Sequence, residues 1–259
     1  MQELPAIFLS HGAPDLVLSQ EPARQALIDL GKSLPRPKGI LIISAHWQAA
    51  QFTLGEALQF STIYDFGGFP AELYRLTYPA QGAAWLISLC REVLQEGNID
   101  FNGDPQRGLD HGAWIPLMLA WPEAEIPVLS LSLKRGASLT EHLALGRALA
   151  PLRKAGVLIV ASGAITHNLG KLLPSGSPPE PWVLEFSSWV EEKLLQGASA
   201  DLLGYREHAP HARLAHPTPE HFEPLLVAYG AGNEQPGTLL HRSFSYGNLA
   251  METFAFGGG

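Results

Sequence analysis

Ala6-Ile-Phe-Leu-Ser-His11-Gly12-Ala13-Pro14 is a short apolar run that stops at a histidine, a glycine and a proline. The run reads as a buried β-strand, and the residues after it read as the loop at its carboxyl end. In open α/β folds ligands bind at that edge of the sheet. A histidine there is presented by the rigid strand yet sits outside it. The same arrangement recurs at Gly39-Ile-Leu-Ile-Ile-Ser-Ala-His46-Trp47 and at Val157-Leu-Ile-Val-Ala-Ser-Gly-Ala-Ile-Thr-His167-Asn168. Strand-end histidines at these separate places predict one convergent imidazole site.

Outward from these strands, helical patterns over Glu21–Lys32, Gln81–Gln95, Thr140–Lys154 and Trp182–Gln196 alternate with strands over Gly39–Ala45, Pro127–Leu133 and Val157–Ser162. Gly39–Ala45 is apolar almost throughout, as a strand covered on both faces is. Phe52–Leu58 reads as a further strand. Leu239–Phe244 and Met251–Phe256 read as closing strands that make the sheet mixed. Leu109–Pro116 begins a short helix, Tyr205–His216 reads as irregular, and Thr218–Ala231 reads as a helix opened by a capping signal. Ile63–Pro70 is a loop with glycine freedom and aromatic bulk, and Pro174–Pro181 is a surface loop. Alternating strands and helices predict one three-layer α/β/α domain over residues 1–259, with a mostly parallel or mixed central sheet.

The 259 residues are 46% apolar and 16% charged, enough for a large core and unlike a disordered chain. A net charge of −8 argues against nucleic acid or an anionic membrane as partner. The single cysteine, Cys90, has no internal partner, which fits a reducing cytoplasm. The first residues carry neither a basic region nor an apolar signal core, and no apolar run approaches the roughly 20 residues that span a bilayer. A cytoplasmic monomer or small homo-oligomer is expected. The chain has ten histidines. With so little cysteine, a metal site must be built from His, Asp or Glu, which suits Fe(II), Mn(II) or Zn(II).

His11 and His46 occupy equivalent strand ends, and His167 follows the third. His111, in Asp110-His111-Gly112-Ala113-Trp114, stands at a helix N-terminus, whose dipole favours a neutral ring. His216 and His221 are separated by two prolines and need not share a face. His142 falls inside a helix as a surface or packing residue, His208 and His211 lie in a polar, solvated segment, and His241 belongs to a terminal strand. The chain has no GxSxG elbow, no HExxH and no Walker loop. Ser10, Ser44 and Ser162 each lie near a histidine, which keeps a Ser–His hydrolase conceivable, but nothing marks an elbow.

Six short motifs follow one another: Ser10-His-Gly-Ala-Pro14, Ser44-Ala-His-Trp47, Tyr64-Asp-Phe-Gly-Gly-Phe-Pro70, Asp110-His-Gly-Ala-Trp114, His167-Asn-Leu169 and Pro217-Thr-Pro-Glu-His221. In this order, over nearly the whole chain, they resemble the class III extradiol ring-cleavage dioxygenases of the DOPA 4,5-dioxygenase type. The resemblance implies a non-haem Fe(II) site with His11, His46 and His221 as ligands. It assigns His167 as the acid–base group and His111 as the second active-site histidine. It implies a small catechol resembling L-DOPA and O2 as the partners, with the ring opened beside its two hydroxyls. Trp47, Phe66, Phe69 and Trp114 are the candidates to sandwich the ring. Tyr74 and Arg75 are the candidates for a substrate carboxylate. Many class III enzymes use two histidines and a carboxylate. Here the third ligand reads as histidine, with Glu220 or His216 as alternatives to His221. Zn(II) on the same histidines, serving a hydrolase, and a non-catalytic binding relative are the rival readings. The presence of both His111 and His167 counts against the second.

Overall fold

The apolar runs do form strands covered on both faces. β1 (Ala6–Ser10) is buried throughout, and β2 (Gly39–Ala49) is buried from Gly39 to Ala45. The remaining strands are β3 (Phe52–Gly55), β4 (Phe101–Asp104), β5 (Val128–Lys134), β6 (Val157–Gly163), β7 (Thr238–His241), β8 (Phe244–Ser245), β9 (Leu249–Ala250) and β10 (Thr253–Phe256). The structure is a computed structural model and describes residues 3–258. Eight strands form one sheet in the order β4-β3-β5-β2-β6-β1-β10-β7, and β8 pairs with β9 separately. The centre is parallel: β2 lies between β5 and β6, and β1 continues on the far side of β6. β10 and β7 add antiparallel strands at one edge, and β3 runs antiparallel to β5 near the other. The mixed sheet follows.

The helices are α1 (Pro22–Ser33), α2 (Ala84–Glu96), α3 (His111–Ala120), α4 (Leu139–Leu149), α5 (Pro151–Lys154), α6 (Pro181–Gln196), α7 (Ser199–Leu203), α8 (Tyr205–His208), α9 (Ala212–Ala215) and α10 (Glu223–Ala231). Side chains of β1 alternate between two apolar clusters, as a pleated strand requires. Ile7 and Leu9 pack with Leu27, Leu30 and Ile115, whereas Phe8 packs with Phe186, Leu225 and Phe254. α4 and α10 cross at glycines. A Cβ on Gly146 would overlap the Val227 carbonyl oxygen, and one on Gly230 would overlap that of Leu143. No helix among the described residues is long and apolar enough to cross a membrane.

Several expectations need correction. β2 does not stop at Ala45 but runs on through His46 and Trp47 to Ala49. Its register against β5 jumps between Ile43 and Gln48, a bulge that re-aims the residues between them. β3 stops at Gly55, and the strand expected from Leu239 divides into β7 and β8. Pro151 lacks the amide that would continue α4, so the helix expected over Thr140–Lys154 breaks into α4 and α5. The segment read as irregular, Tyr205–His216, contains α8 and α9. α10 starts only at Glu223, because the Thr218 hydroxyl bonds the Glu220 carboxylate instead of capping a backbone amide. His221 therefore stands in the turn before the helix. His142 is fully buried, the packing alternative of the two offered for it.

Candidate metal centre and its cavity

Three elements deliver imidazoles to the carboxyl edge of the parallel strands. His11 leaves β1 with its backbone N–H bonded to the Gly163 carbonyl (3.1 Å) at the end of β6. Gly12 follows at φ +67°, a left-handed turn against the Met251 side chain that leaves no room for a Cβ. His46 comes from the bulged end of β2. The carbonyl of His221 accepts the Ala164 N–H (2.9 Å), which fixes the turn before α10 to the same end of β6.

The His46 Nε2 atom lies 3.0 Å from His11 Nε2 and 3.3 Å from His221 Nε2. Nitrogens held about 2.0–2.1 Å from one metal ion stand roughly 2.8–3.4 Å from each other, for angles between 90° and tetrahedral. The observed spacing is that of a ligand set.

The outer nitrogens explain why the inner ones face the centre. The Ser162 hydroxyl donates its only proton to the Gly112 carbonyl, so its oxygen accepts from His11 Nδ1–H at 2.9 Å. The Glu220 carboxylate accepts from His221 Nδ1–H at 3.1 Å. Each bond fixes the tautomer that leaves the Nε2 lone pair pointing inward. Burial, then the neighbouring imidazoles, hold His11 well below the usual histidine range. The same causes act on His221. Burial brings His46 down to about 3. Uncharged rings with lone pairs aimed at one point repel each other unless a cation lies between them. The donor set therefore fits a divalent metal ion.

His216 does not join this set. It is fully buried and its Nε2–H donates to the Ile165 carbonyl at 2.8 Å. Glu220 lies behind the His221 ring, bonded to Nδ1 rather than beside Nε2. Of the three alternatives for the third position, the structure brings only His221 to the cluster by its Nε2.

Two further imidazoles flank the centre. The His167 ring stacks on His221 with centroids 3.3 Å apart and planes at 11°. Burial lowers it to about 4, against a weaker upward pull from Glu220. His111, the first residue of α3, lies 4.0 Å from the His46 ring by centroid. Asp65, which sequence reasoning passed over, joins these two. Its Oδ1 accepts the His111 backbone N–H (2.9 Å) and lies 3.0 Å from His111 Nδ1, while Oδ2 is 3.6 Å from His46 Nδ1. Burial would raise Asp65, but its contacts with His111 outweigh this and hold it at about 2. It is therefore an anion placed behind His46. Ser162, read from sequence only as a possible hydrolase serine, instead accepts from His11. Asp65 did carry a signal, being the only carboxylate in the glycine-aromatic loop. The D65N variant should keep the fold and lose about 10- to 100-fold in metal affinity or kcat/KM, the usual cost of an outer-shell partner. Metal titration and steady-state kinetics check this.

A cavity of about 310 Å³ opens beside the imidazoles. His11, His46, His111 and His167 form one end, and Phe66 and Phe69 line its side. The two tryptophans proposed from sequence are placed elsewhere. Trp47 lies under the Arg107 guanidinium (5.1 Å) and does not line the cavity. Trp114 is fully buried, donates its indole N–H to the Ile63 carbonyl (3.1 Å) and backs Phe66. Tyr74 packs on Tyr64 and Phe66, Arg75 is exposed, and neither lines the cavity.

Three convergent imidazoles beside a cavity of single-ring size form a group that could hold one metal ion next to a small organic molecule. Residues 5–257 match the family model described as the catalytic LigB subunit of aromatic ring-opening dioxygenase. The chain belongs to this family and is an extradiol ring-cleaving dioxygenase. It is 41% identical over 254 residues to a 4,5-DOPA dioxygenase extradiol of Beta vulgaris, covering 96% of this chain and 95% of that protein. It is 36% identical over 263 residues to the protein of the same name from Escherichia coli (strain K12), covering 98% and 95%. A crystal structure of an uncharacterized protein from Escherichia coli K12 superposes with a TM-score of 0.84 at 34% identity, covering 98% of this chain and all of that one.

Proposed function

We propose that the chain opens a catechol ring beside its two hydroxyls at an Fe(II) ion held by His11, His46 and His221. The observation that carries this is the pair of Nε2 spacings, 3.0 and 3.3 Å, with tautomers fixed by Ser162 and Glu220. Iron(II) bound there would supply an electron path between catechol and O2, which redox-inert Zn(II) lacks. Both oxygen atoms enter the product, so no outside reductant is required.

The chain's own residues do the rest. His167 is uncharged at neutral pH and takes a proton from a catechol hydroxyl. It later returns that proton to the breaking oxygen bond. His111 offers a hydrogen bond from the opposite side, and Phe66 and Phe69 hold the flat ring. Asp65 supplies, from behind His46, the negative charge that a directly bound carboxylate gives other enzymes of this class. Residues 1–259 act as one catalytic domain, because the sheet draws strands from both ends of the chain. The buried thiol of Cys90 and the net charge of −8 support a cytoplasmic protein that works as a monomer or small homo-oligomer.

The relatives' name makes L-DOPA the first substrate to try. Protein loaded anaerobically with Fe(II) and given L-DOPA or a simple catechol is expected to take up O2 and form a yellow ring-opened product. Zinc-loaded protein is expected to do neither. Iron-bound protein that consumes no O2 with any of a catechol panel would refute the assignment.

A further inference from the structure

We propose that Asp110 is a positioning residue of the metal centre: its carboxylate anchors Ser44, whose hydroxyl holds the backbone of His46. This rests on the reading of His46 as a metal ligand and extends it to the residues that keep that ligand in place. The sheet itself gives His46 little support. The pairing of β2 with β6 ends at Ser44, and its pairing with β5 is interrupted between Ile43 and Gln48. Ala45, His46 and Trp47 therefore have no ladder partner on either side. A side chain fixes the His46 backbone instead. The His46 N–H donates to Ser44 Oγ at 3.2 Å. The Ser44 hydroxyl spends its single proton on Asp110 Oδ1 at 2.6 Å, the short distance of a bond to a charged acceptor.

Asp110 stands just before α3, where an aspartate usually caps the helix, yet its carboxylate makes no capping bond. The first amide of α3 goes to Asp65 instead. Both Asp110 oxygens are committed elsewhere, Oδ1 to Ser44 and Oδ2 to the Arg107 guanidinium at 3.0 Å. Asp110 is buried, where a charge persists when it is paired and hydrogen-bonded, and it is both. Arg107 lies over the Trp47 ring, so the residue after His46 seats the cation that holds Asp110. The chain of contacts leaves β2 at Ser44 and returns to it at Trp47, with His46 between the two. The first turn of α3 also packs directly on this stretch. A Cβ on Gly112 would lie 2.5 Å from Ser44 Oγ and 2.9 Å from His46 Cδ2. A carboxylate that only stabilised the helix would have no reason to reach Ser44.

The test uses the full-length protein and two readouts that need no turnover. These are the zinc dissociation constant and the visible spectrum of the cobalt(II)-loaded form, which follows coordination geometry. S44A and D110N are each expected to weaken zinc about 10- to 100-fold and to shift the cobalt bands, with the metal-free proteins folded by circular dichroism. The two residues act through one chain of contacts, so S44A/D110N should bind zinc no more weakly than the weaker single variant. Glu220 acts on His221 by a separate bond, so the losses in S44A/E220Q should multiply. A folded S44A or D110N protein with parental zinc affinity and cobalt spectrum overturns the inference. Losses that multiply in S44A/D110N overturn it as well. The same non-additivity in S44A/E220Q would mark general loosening and overturns it too. Should D110N not fold, R107Q frees one Asp110 oxygen and must show the cobalt shift in smaller degree; no shift there counts against the inference equally. H46A measured alongside keeps the two readings apart, since zinc bound by H46A at parental affinity refutes the ligand assignment itself.

Discussion

The H46A variant is expected to hold no iron at stoichiometric concentrations and to open no ring above background. His46 is the middle member of the set, since its Nε2 is within 3.3 Å of both others. Its removal leaves His11 and His221 with no third nitrogen to complete the face. The loss in affinity should exceed the roughly 100-fold that outer-shell partners alone control. The fold should survive, because the His46 side chain is partly exposed at the cavity rather than packed in the core. Removing one of several facing lone pairs should even steady the metal-free protein slightly. Metal analysis after anaerobic loading, with circular dichroism and thermal melting as controls, reads these effects apart. Stoichiometric iron in a folded H46A protein would remove His46 from the ligand set.

How much of this was legible beforehand depends on how local the cause was. The strand-end histidines stood out because an aliphatic run ending in His-Gly-Ala-Pro or His-Trp has few other readings. The central strands were equally plain, since burial on both faces imposes apolar continuity. The bulge in β2 was not legible. It depends on pairing with β5, and it lies in the stretch where His46 lines the cavity and Trp47 does not. Trp114 was misplaced for a related reason: an aromatic residue beside a catalytic histidine can as well be the support beneath the cavity as part of its wall. His216 is kept from the cluster by a hydrogen bond to Ile165, a residue 51 positions away from it. Asp65 was quoted within a motif yet passed over, because only folding brings its loop against α3. What the chain encodes through local composition can be read along it. What it encodes through contacts between distant residues cannot.

The H167A variant should do the opposite of H46A, keeping its metal and losing turnover. His167 stacks face to face on His221, and its nitrogens fall outside the group formed by His11, His46 and His221, joining instead Glu220 and His221. Its backbone does not depend on its ring. The His167 N–H bonds the Ala215 carbonyl (2.8 Å), the Asn168 amide donates to the Leu214 carbonyl (2.7 Å), and the Asn248 amide holds the Asn168 carbonyl (2.7 Å). Alanine therefore removes an imidazole and leaves the loop in place. Burial keeps the ring at about 4, so at neutral pH it is the uncharged base that an incoming catechol needs. An arriving catecholate adds negative charge next to Glu220 and raises the ring's proton affinity, which suits a group that must hold the proton and give it back. Losing one acid–base group of this kind costs on the order of 10²–10⁴ in rate. The loss should fall on kcat, with KM and metal content near those of the parent, because the ring acts on a proton and does not hold the catechol oxygens. A catechol already ionised in solution, one with an electron-withdrawing substituent, should recover part of the rate. If H167A instead loses its iron together with its activity, His167 is a ligand, and the proton must be carried by His111.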